Sequence, residues 1–273
     1  MTPGEHPHQD KLGRNLLDLT RGRLEFDRLL EISQQAPLVD SPPLVAAAGV
    51  GSGRGLRIGY IQYSAFTFYY PENLEALRQA GAQLVSISAT ESARLPDGLD
   101  ALYIGGGFPE THAEILAANT GFLTSLRRAA QDGLPIYAEC GGLMLLSRGI
   151  LWQGRRHAMA GVLPFDVEVC AKPQGHGYSE LQVDRPNPFF PVGTRLKGHE
   201  FHYSRIVSDR GEPATACKVL RGTGCVAGRD AVIAGNVWAA YTHLHALGTP
   251  EWAAGFVAQA LMRAASTLVP TPA

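Results

Sequence analysis

The stretch Leu134-Pro-Ile-Tyr-Ala-Glu-Cys-Gly-Gly-Leu-Met-Leu-Leu-Ser147 decides the fold of this 273-residue chain. An apolar run typical of a buried strand ends at Cys140, and two glycines lead directly into an apolar run typical of a helix. This is the layout of a nucleophile elbow, a sharp strand-to-helix turn that exposes a reactive side chain and needs small neighbours. The helix N-terminus favours the thiolate over the thiol. We therefore predict that Cys140 is a catalytic nucleophile.

Strands and helices alternate on the N-terminal side of this elbow. The predicted strands cover residues 56–61, 83–87 and 101–104, and the predicted helices cover residues 71–80, 110–118 and 120–131. Such alternation predicts an α/β fold with a doubly wound, mostly parallel sheet. From about residue 157 to 240, short β-like runs between Gly and Pro turns predict an antiparallel β addition, and a last helix is predicted at 250–265.

The remaining segments predict the domain boundaries. Residues 1–36 have a helical pattern, residues 37–55 are rich in Pro, Ala, Gly and Ser and predict a linker, and residues 266–273 form a tail. The main domain is therefore expected at residues 56–265. Within the linker, Gly49–Gly55 superficially suggests a phosphate loop, but it lacks Lys-Ser/Thr and precedes a strand, so we interpret it as linker.

Composition narrows the function classes. With 45% hydrophobic and 18% charged residues, the chain is an ordinary globular protein. A net charge of −1 without a basic run gives no reason to expect nucleic acid. Neither a run of about 20 apolar residues, as membrane spans need, nor a signal peptide is evident. The four cysteines form no CxxC pair, which argues against a zinc site or a disulfide scaffold. We expect a cytoplasmic protein without a membrane partner.

The loop Gly105-Gly-Gly-Phe-Pro-Glu110 is the candidate oxyanion hole. It follows a strand directly, so it lies at the same sheet edge as the elbow. An attacking thiolate needs hydrogen-bond donors for the oxyanion that forms. We predict that the backbone amides of Gly106, Gly107 and Gly141 supply them; the alternative is a simple tight turn.

The candidate base is His243, at the end of the strand-like run Val237–His245. His245 lies two residues further and is expected on the same side of the chain. A single histidine is more often structural, but a pair beside an elbow favours catalysis. Gly198-His-Glu-Phe-His202 is a second group, whose His199, Glu200 and His202 could bind metal, orient the base or hold the core. From the residues alone, the chain is a cysteine hydrolase or acyl-transfer enzyme; an α/β-hydrolase elbow would have glycine in place of Ala138.

Five runs together resemble the C-terminal, class I-type glutamine amidotransferase domain of the cobyrinic acid a,c-diamide synthase family. They occur in the family's order and cover about residues 56–262: Ala65–Asn73, Tyr103–Glu110, Tyr137–Met144, Gly198–Ser204 and Tyr241–His245. The resemblance implies a flavodoxin-like α/β domain in which Cys140 attacks the side-chain amide of glutamine and His243 increases its nucleophilicity. A γ-glutamyl thioester would form, ammonia would leave, and water would release glutamate.

The resemblance also implies partners and leaves one role open. Ammonia would pass to a P-loop synthetase domain or subunit that uses ATP and Mg²⁺ to activate carboxylates of a tetrapyrrole, whereas no cofactor or metal is expected in this chain. The resemblance implies a catalytic site closer to a Cys-His dyad than to a triad. Glu200 and His245 are the candidates to orient His243. The resemblance does not decide whether the chain forms a homodimer.

Two departures qualify the resemblance. The sequence contains no G-x-x-x-x-G-K-S/T, and residues 22–31 resemble the last helix of the synthetase domain, so the chain is interpreted as the glutaminase part of a longer enzyme. Tyr63 stands where the family usually has aspartate, which widens the candidate substrates from cobyrinate to sirohaem or another modified tetrapyrrole. A non-catalytic binding module and a cysteine hydrolase of another amide or ester remain as alternatives.

Overall fold

A computed structural model describes residues 8–37, 55–62, 65–209 and 211–268, which group into two compact units, 1–46 and 47–273. The first unit contains helices α1 (Gln9–Arg21) and α2 (Phe26–Gln35). The predicted helical segment is therefore two helices with a break at residues 22–25. Their apolar side chains are about half exposed: Leu12, Leu16, Leu17, Leu19, Phe26, Leu29, Leu30 and Ile32. This unit has no core of its own among the described residues.

The second unit combines the predicted α/β alternation with a large β-rich addition. In chain order its elements are β1 (Arg57–Ile61), α3 (Pro71–Gln79), β2 (Gln83–Ile87), β3 (Ala101–Ile104), a 3₁₀ turn (Pro109–His112), α4 (Ala113–Ala118), α5 (Thr120–Gln131), β4 (Ile136–Glu139), α6 (Gly141–Leu146), β5 (Gly149–Trp152), β6 (Arg155–Ala158), β7 (Asp166–Val169), β8 (Gly175–Val183), β9 (Arg195–His202), β10 (Ser204–Val207), β11 (Thr215–Arg221), β12 (Arg229–Ala234), β13 (Val237–Ala240), β14 (His243–Leu244) and α7 (Glu251–Leu268).

One ten-stranded sheet runs through the unit in the order β14-β9-β8-β11-β12-β13-β4-β3-β1-β2. Its β13-β4-β3-β1-β2 end is parallel, and the strands from β12 to β14 on the other side pair antiparallel. A second sheet has the order β10-β7-β5-β6. The predicted fold class, a mostly parallel α/β sheet with an antiparallel addition, is confirmed.

The strands in the parallel part of the ten-stranded sheet are deeply buried. Every residue of β3 and β4 is buried, as expected for parallel strands covered by helices on both faces. Helix α3 begins at Pro71, whose fixed φ suits a first helical turn, and Asn119 caps α5 by accepting the amide of Phe122 at 3.3 Å. These local signals agree with the predicted boundaries of both helices.

The structure differs from the sequence prediction at a few places. The predicted helix 110–118 begins as a 3₁₀ turn at Pro109 and becomes α-helical only at Ala113, β strands already start at Gly149, and α7 extends to Leu268. Residues 38–54 of the predicted linker, Tyr63 and residues 269–273 lie outside the described residues. Among the described residues, no helix combines the length and apolarity that crossing a membrane requires.

Candidate active site

Cys140 occupies the predicted elbow between β4 and α6. Its backbone has φ +46° and ψ −97°, a conformation that costs a non-glycine residue about 1–3 kcal/mol and is typical of functional sites. The turn is held because the Cys140 amide donates to the Ala240 carbonyl at 2.7 Å. A Cβ on Gly142 would lie 2.4 Å from the Ile104 carbonyl oxygen, so the helix can follow the turn only with glycine there. The thiol is almost completely buried.

His243 contacts Cys140 from β14. Burial lowers the pKa of His243, but its hydrogen bond with Cys140 and the charges of Cys140 and Glu139 outweigh burial and raise this pKa to about 10. A histidine with so high a pKa is protonated at neutral pH, so an imidazolium lies beside the Cys140 sulfur. The structure thus brings the predicted nucleophile and the predicted base together.

Glu139 is the acidic partner that the sequence analysis missed. Its Oε2 lies 3.6 Å from Nδ1 of His243, close enough for charge attraction although slightly long for a hydrogen bond. The carboxylate also accepts the Leu244 amide and the Tyr103 hydroxyl, each at 3.0 Å, and it is buried. A signal existed in the sequence: Glu139 is the one charge in the apolar run before Cys140, and a buried charge needs a partner.

Glu200 and His245, the two predicted orienting residues, contact other groups. The Glu200 carboxylate accepts the amides of Thr223 and Gly224, and its Oε2 is 3.5 Å from Nε2 of His202. Nε2 of His245 is 3.4 Å from the carboxylate of Glu72. The prediction that either residue orients His243 is therefore wrong, because the carboxylate beside His243 is that of Glu139.

The residues of the second histidine group face opposite sides of β9, because side chains alternate along a strand. His202 stacks on Tyr241 with ring centroids 3.7 Å apart and contacts the Ser204 carbonyl through Nδ1 at 2.8 Å. His199 stacks instead on His243 at 4.9 Å. Within the described ranges, no three His, Cys, Asp or Glu side chains are grouped to hold a metal ion. Glu200 and His202 therefore serve the core, and His199 belongs to the site.

The glycine loop after β3 lies against the elbow, and it corrects one of the three predicted oxyanion donors. The amide of Gly106 donates to the Phe68 carbonyl at 3.1 Å, so it is already used. Gly106 instead makes room for the base, since a Cβ there would lie 2.4 Å from Cε1 of His243. Gly107 lines the same narrow cleft as Cys140, and the Gly141 amide is in the first turn of α6, where helical amides lack an intrahelical acceptor. Gly107 and Gly141 remain the candidate donors.

Comparisons with known proteins show the family of this chain. Residues 57–251 match the CobB/CobQ-like glutamine amidotransferase domain. The chain is 43% identical over 257 residues to the cobyrinate a,c-diamide synthase of Magnetococcus marinus, an alignment that covers 90% of this chain and 55% of that protein. It is 40% identical over 247 residues to the enzyme of the same name from Syntrophotalea carbinolica, with 89% and 53% covered. The chain thus spans about half the length of these curated relatives.

Solved structures show the same fold at lower identity. A crystal structure described as a glutamine amidotransferase superimposes with a TM-score of 0.53 at 22% identity, covering 74% of this chain and 98% of that one. The structure of PurLQS from Thermotoga maritima superimposes with a TM-score of 0.53 at 16% identity, covering 78% and 99%. At such identities the likeness concerns the fold alone.

Proposed function

The chain belongs to the family of CobB/CobQ-like glutamine amidotransferase domains, and on that premise we propose that it hydrolyses glutamine at Cys140 and supplies ammonia for the amidation of a tetrapyrrole. The observation that carries the proposal is the buried Cys140–His243–Glu139 array at the end of β4. It combines a cysteine sulfur, a protonated imidazole that can donate a proton, and a buried carboxylate, which are the groups that cleavage of an amide requires.

The geometry supports a thioester mechanism. The thiolate of Cys140 attacks the side-chain carbonyl carbon of glutamine, and the amides of Gly107 and Gly141 bind the oxyanion. His243 gives its proton to the amide nitrogen, the C–N bond breaks, and ammonia leaves. Neutral His243 then takes a proton from water, and the resulting hydroxide attacks the thioester. The thiolate departs, and glutamate is released.

The acceptor and partner are proposed from the relatives. Both curated relatives are cobyrinate a,c-diamide synthases about twice as long as the aligned region. We infer that ammonia passes to an ATP- and Mg²⁺-dependent synthetase region that activates cobyrinate carboxylates. A sirohaem-type tetrapyrrole is the alternative acceptor. The free thiols of Cys140, Cys170, Cys217 and Cys225 favour the reducing cytoplasm.

The direct test is glutamate release from glutamine, together with labelling of Cys140 by a glutamine-like diazoketone. We expect one label per chain, protection by glutamine, and loss of both activity and labelling in Cys140→Ser. Cys170→Ser is the matched control, because this half-buried cysteine lies outside the array. If the diazoketone fails to label Cys140 both in the chain alone and after addition of the synthetase half of a relative, the chain is a non-catalytic binding module. If unrelated amides protect Cys140 from labelling as well as glutamine does, the chain is a general cysteine hydrolase.

A further inference from the structure

The segment that carries His243 receives little support from the sheet itself. His243 and Leu244 form β14, a two-residue strand at the end of the ten-stranded sheet, and both pair with β9. Strands of globular proteins usually have about five or six residues. The position of the His243 ring must therefore depend on further contacts of residues 241–246.

Asp230 holds the two residues that precede His243. Its side chain is completely buried on β12. The carboxylate accepts the Tyr241 amide through Oδ1 and the Thr242 amide through Oδ2, each at 3.0 Å. Oδ1 also accepts the Ala231 amide at 2.8 Å. A charge is costly to bury unless hydrogen bonds compensate, so this carboxylate depends on the amides that it holds.

The backbone next to Asp230 is strained. Ala231 has φ +62°, a region that a residue with a Cβ rarely adopts. Such conformations persist where the surrounding contacts over-determine them, and they cluster at functional sites. Because the Ala231 amide donates to the same carboxylate, the strained turn and the contacts of Asp230 with residues 241–242 form one arrangement.

Asn73, on α3, holds the residues that follow the histidine. Its side chain is also completely buried. Nδ2 donates to the Leu244 carbonyl at 2.8 Å, and Oδ1 accepts the Ala246 amide at 2.7 Å. Nδ2 lies 3.2 Å from the hydroxyl of Tyr103, the residue that donates to the carboxylate of Glu139. The backbone on both sides of the histidine is thus attached to buried side chains from other elements.

The nucleophile is attached to the start of the same segment. The Cys140 amide donates to the Ala240 carbonyl at 2.7 Å, one residue before the amides that Asp230 accepts. A shift of residues 241–246 would therefore move His243 relative to Cys140, whose own anchor lies at Ala240. A misplacement of about 1 Å can slow an enzyme about a hundredfold.

We propose that Asp230 and Asn73 are positioning residues for His243: they fix the backbone on both sides of it and so keep its ring beside the thiol. Both act through amides and a carbonyl of residues 241–246. The inference rests on the proposed function, because the position of the ring affects the rate only if His243 transfers a proton. It goes beyond that function by assigning a role to two buried side chains outside the Cys140 array.

The test compares Asp230→Asn with the parent chain in two measurements. The new side chain keeps the shape, but its NH₂ group has to face a backbone N–H that the carboxylate accepted. We expect kcat for glutamine hydrolysis to fall at least about tenfold, whereas KM should change less than about twofold. We also expect the pKa of His243 to fall from about 10 as the ring moves away from Glu139. NMR of histidine-labelled protein measures this pKa, and His243→Gln assigns the signal.

Asn73→Ala is the second variant, and Ile87→Ala is the matched control for stability. Asn73→Ala changes no charge, so a lower pKa of His243 in this variant reports the position of the ring. Ile87 is a buried residue of β2, at the end of the sheet opposite to β14. Its truncation should lower the thermal midpoint, because it leaves a cavity in the core. It should leave kcat and the pKa of His243 unchanged.

Three results would overturn the positioning role: an unchanged pKa of His243 in Asp230→Asn and Asn73→Ala, equal changes in Ile87→Ala, or loss of the fold in both variants. The last result would assign the two side chains to the fold and not to the ring.

Failure of the proposed function gives a different result. A parent chain that neither hydrolyses glutamine nor is labelled at Cys140 rejects the glutaminase, and the NMR titration still decides the positioning role. A lower pKa of His243 in Asp230→Asn and Asn73→Ala, but not in Ile87→Ala, then supports the positioning role alone.

Discussion

At the scale of single residues, the site depends on one buried carboxylate beside one buried imidazole. Glu139 follows the apolar core of β4 directly, so its position is as rigid as the strand itself. Its Oε2 faces His243, and its Oε1 accepts the Leu244 amide, which ties the carboxylate to the strand that carries the base. A carboxylate held in this way fixes the orientation of the imidazole and stabilises its positive charge.

Replacing Glu139 by Gln should therefore lower kcat for glutamine hydrolysis. The amide preserves the shape and a hydrogen-bond acceptor but removes the negative charge beside the imidazolium, and we expect a rate loss of about tenfold to a hundredfold, which corresponds to about 1.4–2.8 kcal/mol. Steady-state glutamate release measures it. Glu72→Gln, next to His245, is the control and should stay within about twofold of the parent, since surface ion pairs contribute little. Equal losses in both variants would exclude a specific role for Glu139.

The pH dependence follows from the raised pKa of His243. Because this pKa is about 10, the imidazolium persists through neutral pH and is lost only as the pH rises through about 10. We expect kcat to fall in that range, because neutral His243 cannot protonate the leaving ammonia. The stability that this group contributes is fully present below the unfolded pKa near 6.5, declines as the pH rises above it, and is lost above about pH 10.

A pH profile of kcat tests this assignment, and Glu139→Gln supplies the internal check. Removal of the negative charge should move the alkaline limb to lower pH, since the Glu139 carboxylate raises the pKa of His243. A limb that stays in place in Glu139→Gln would mean that another group titrates there.

At the scale of elements, the loop after β3 and the elbow before α6 fit together with almost no free space. A Cβ on Gly141 would lie 2.9 Å from the Gly107 amide nitrogen, and a Cβ on Gly106 would displace the His243 ring. The glycines of the two elements therefore set the distance between His243, Cys140 and the candidate oxyanion donors. A methyl group added at this contact would affect catalysis only by moving the His243 ring relative to Cys140.

Gly106→Ala should slow labelling of Cys140 by at least about tenfold, because the new methyl group overpacks the contact by about 1–3 kcal/mol and displaces His243. The rate of diazoketone labelling measures the effect, and circular dichroism reports whether the fold survives. Gly248→Ala is the matched control, since its nearest contact would be an ordinary 3.5 Å to the His245 carbonyl. Unchanged labelling in Gly106→Ala would show that the ring has room to shift without loss.

Several elements could be read from the sequence, and others could not. The strands at 83–87 and 101–104 carry continuous β-forming runs, and the observed boundaries coincide with the predicted ones. The two-residue β14 has no such pattern; it exists because His243 and Leu244 pair with His199 and Gly198 of β9, more than 40 positions away. Strands this short are defined by their partner.

At the scale of the whole molecule, the two units differ in how much they bury. The second unit holds both large hydrophobic clusters, whereas α2 has no buried residue and most residues of α1 are exposed. Hydrophobic burial is the main stabilising contribution to a fold. The stability of the second unit therefore arises within residues 47–273.

Deletion of residues 1–46 should leave the thermal midpoint of the remaining chain within about 3 °C, the shift that about 1 kcal/mol produces in a domain of this size. Differential scanning calorimetry of the full and shortened chains measures this, and Cys140 labelling confirms that the site persists. Loss of cooperative unfolding in the shortened chain would show that the first unit stabilises the second.

The sequence by itself determined the fold class and the position of Cys140, the predicted nucleophile, at a strand-to-helix turn, because the turn and the α/β alternation are local patterns set by neighbouring residues. Only the tertiary structure decided the rest of the site. Glu139, and not Glu200 or His245, lies beside His243, and the Gly106 amide donates a hydrogen bond to the Phe68 carbonyl. These contacts join residues from strands and loops far apart in the chain. Local preferences specify where a strand or turn forms, whereas the pairing of strands specifies which side chains meet.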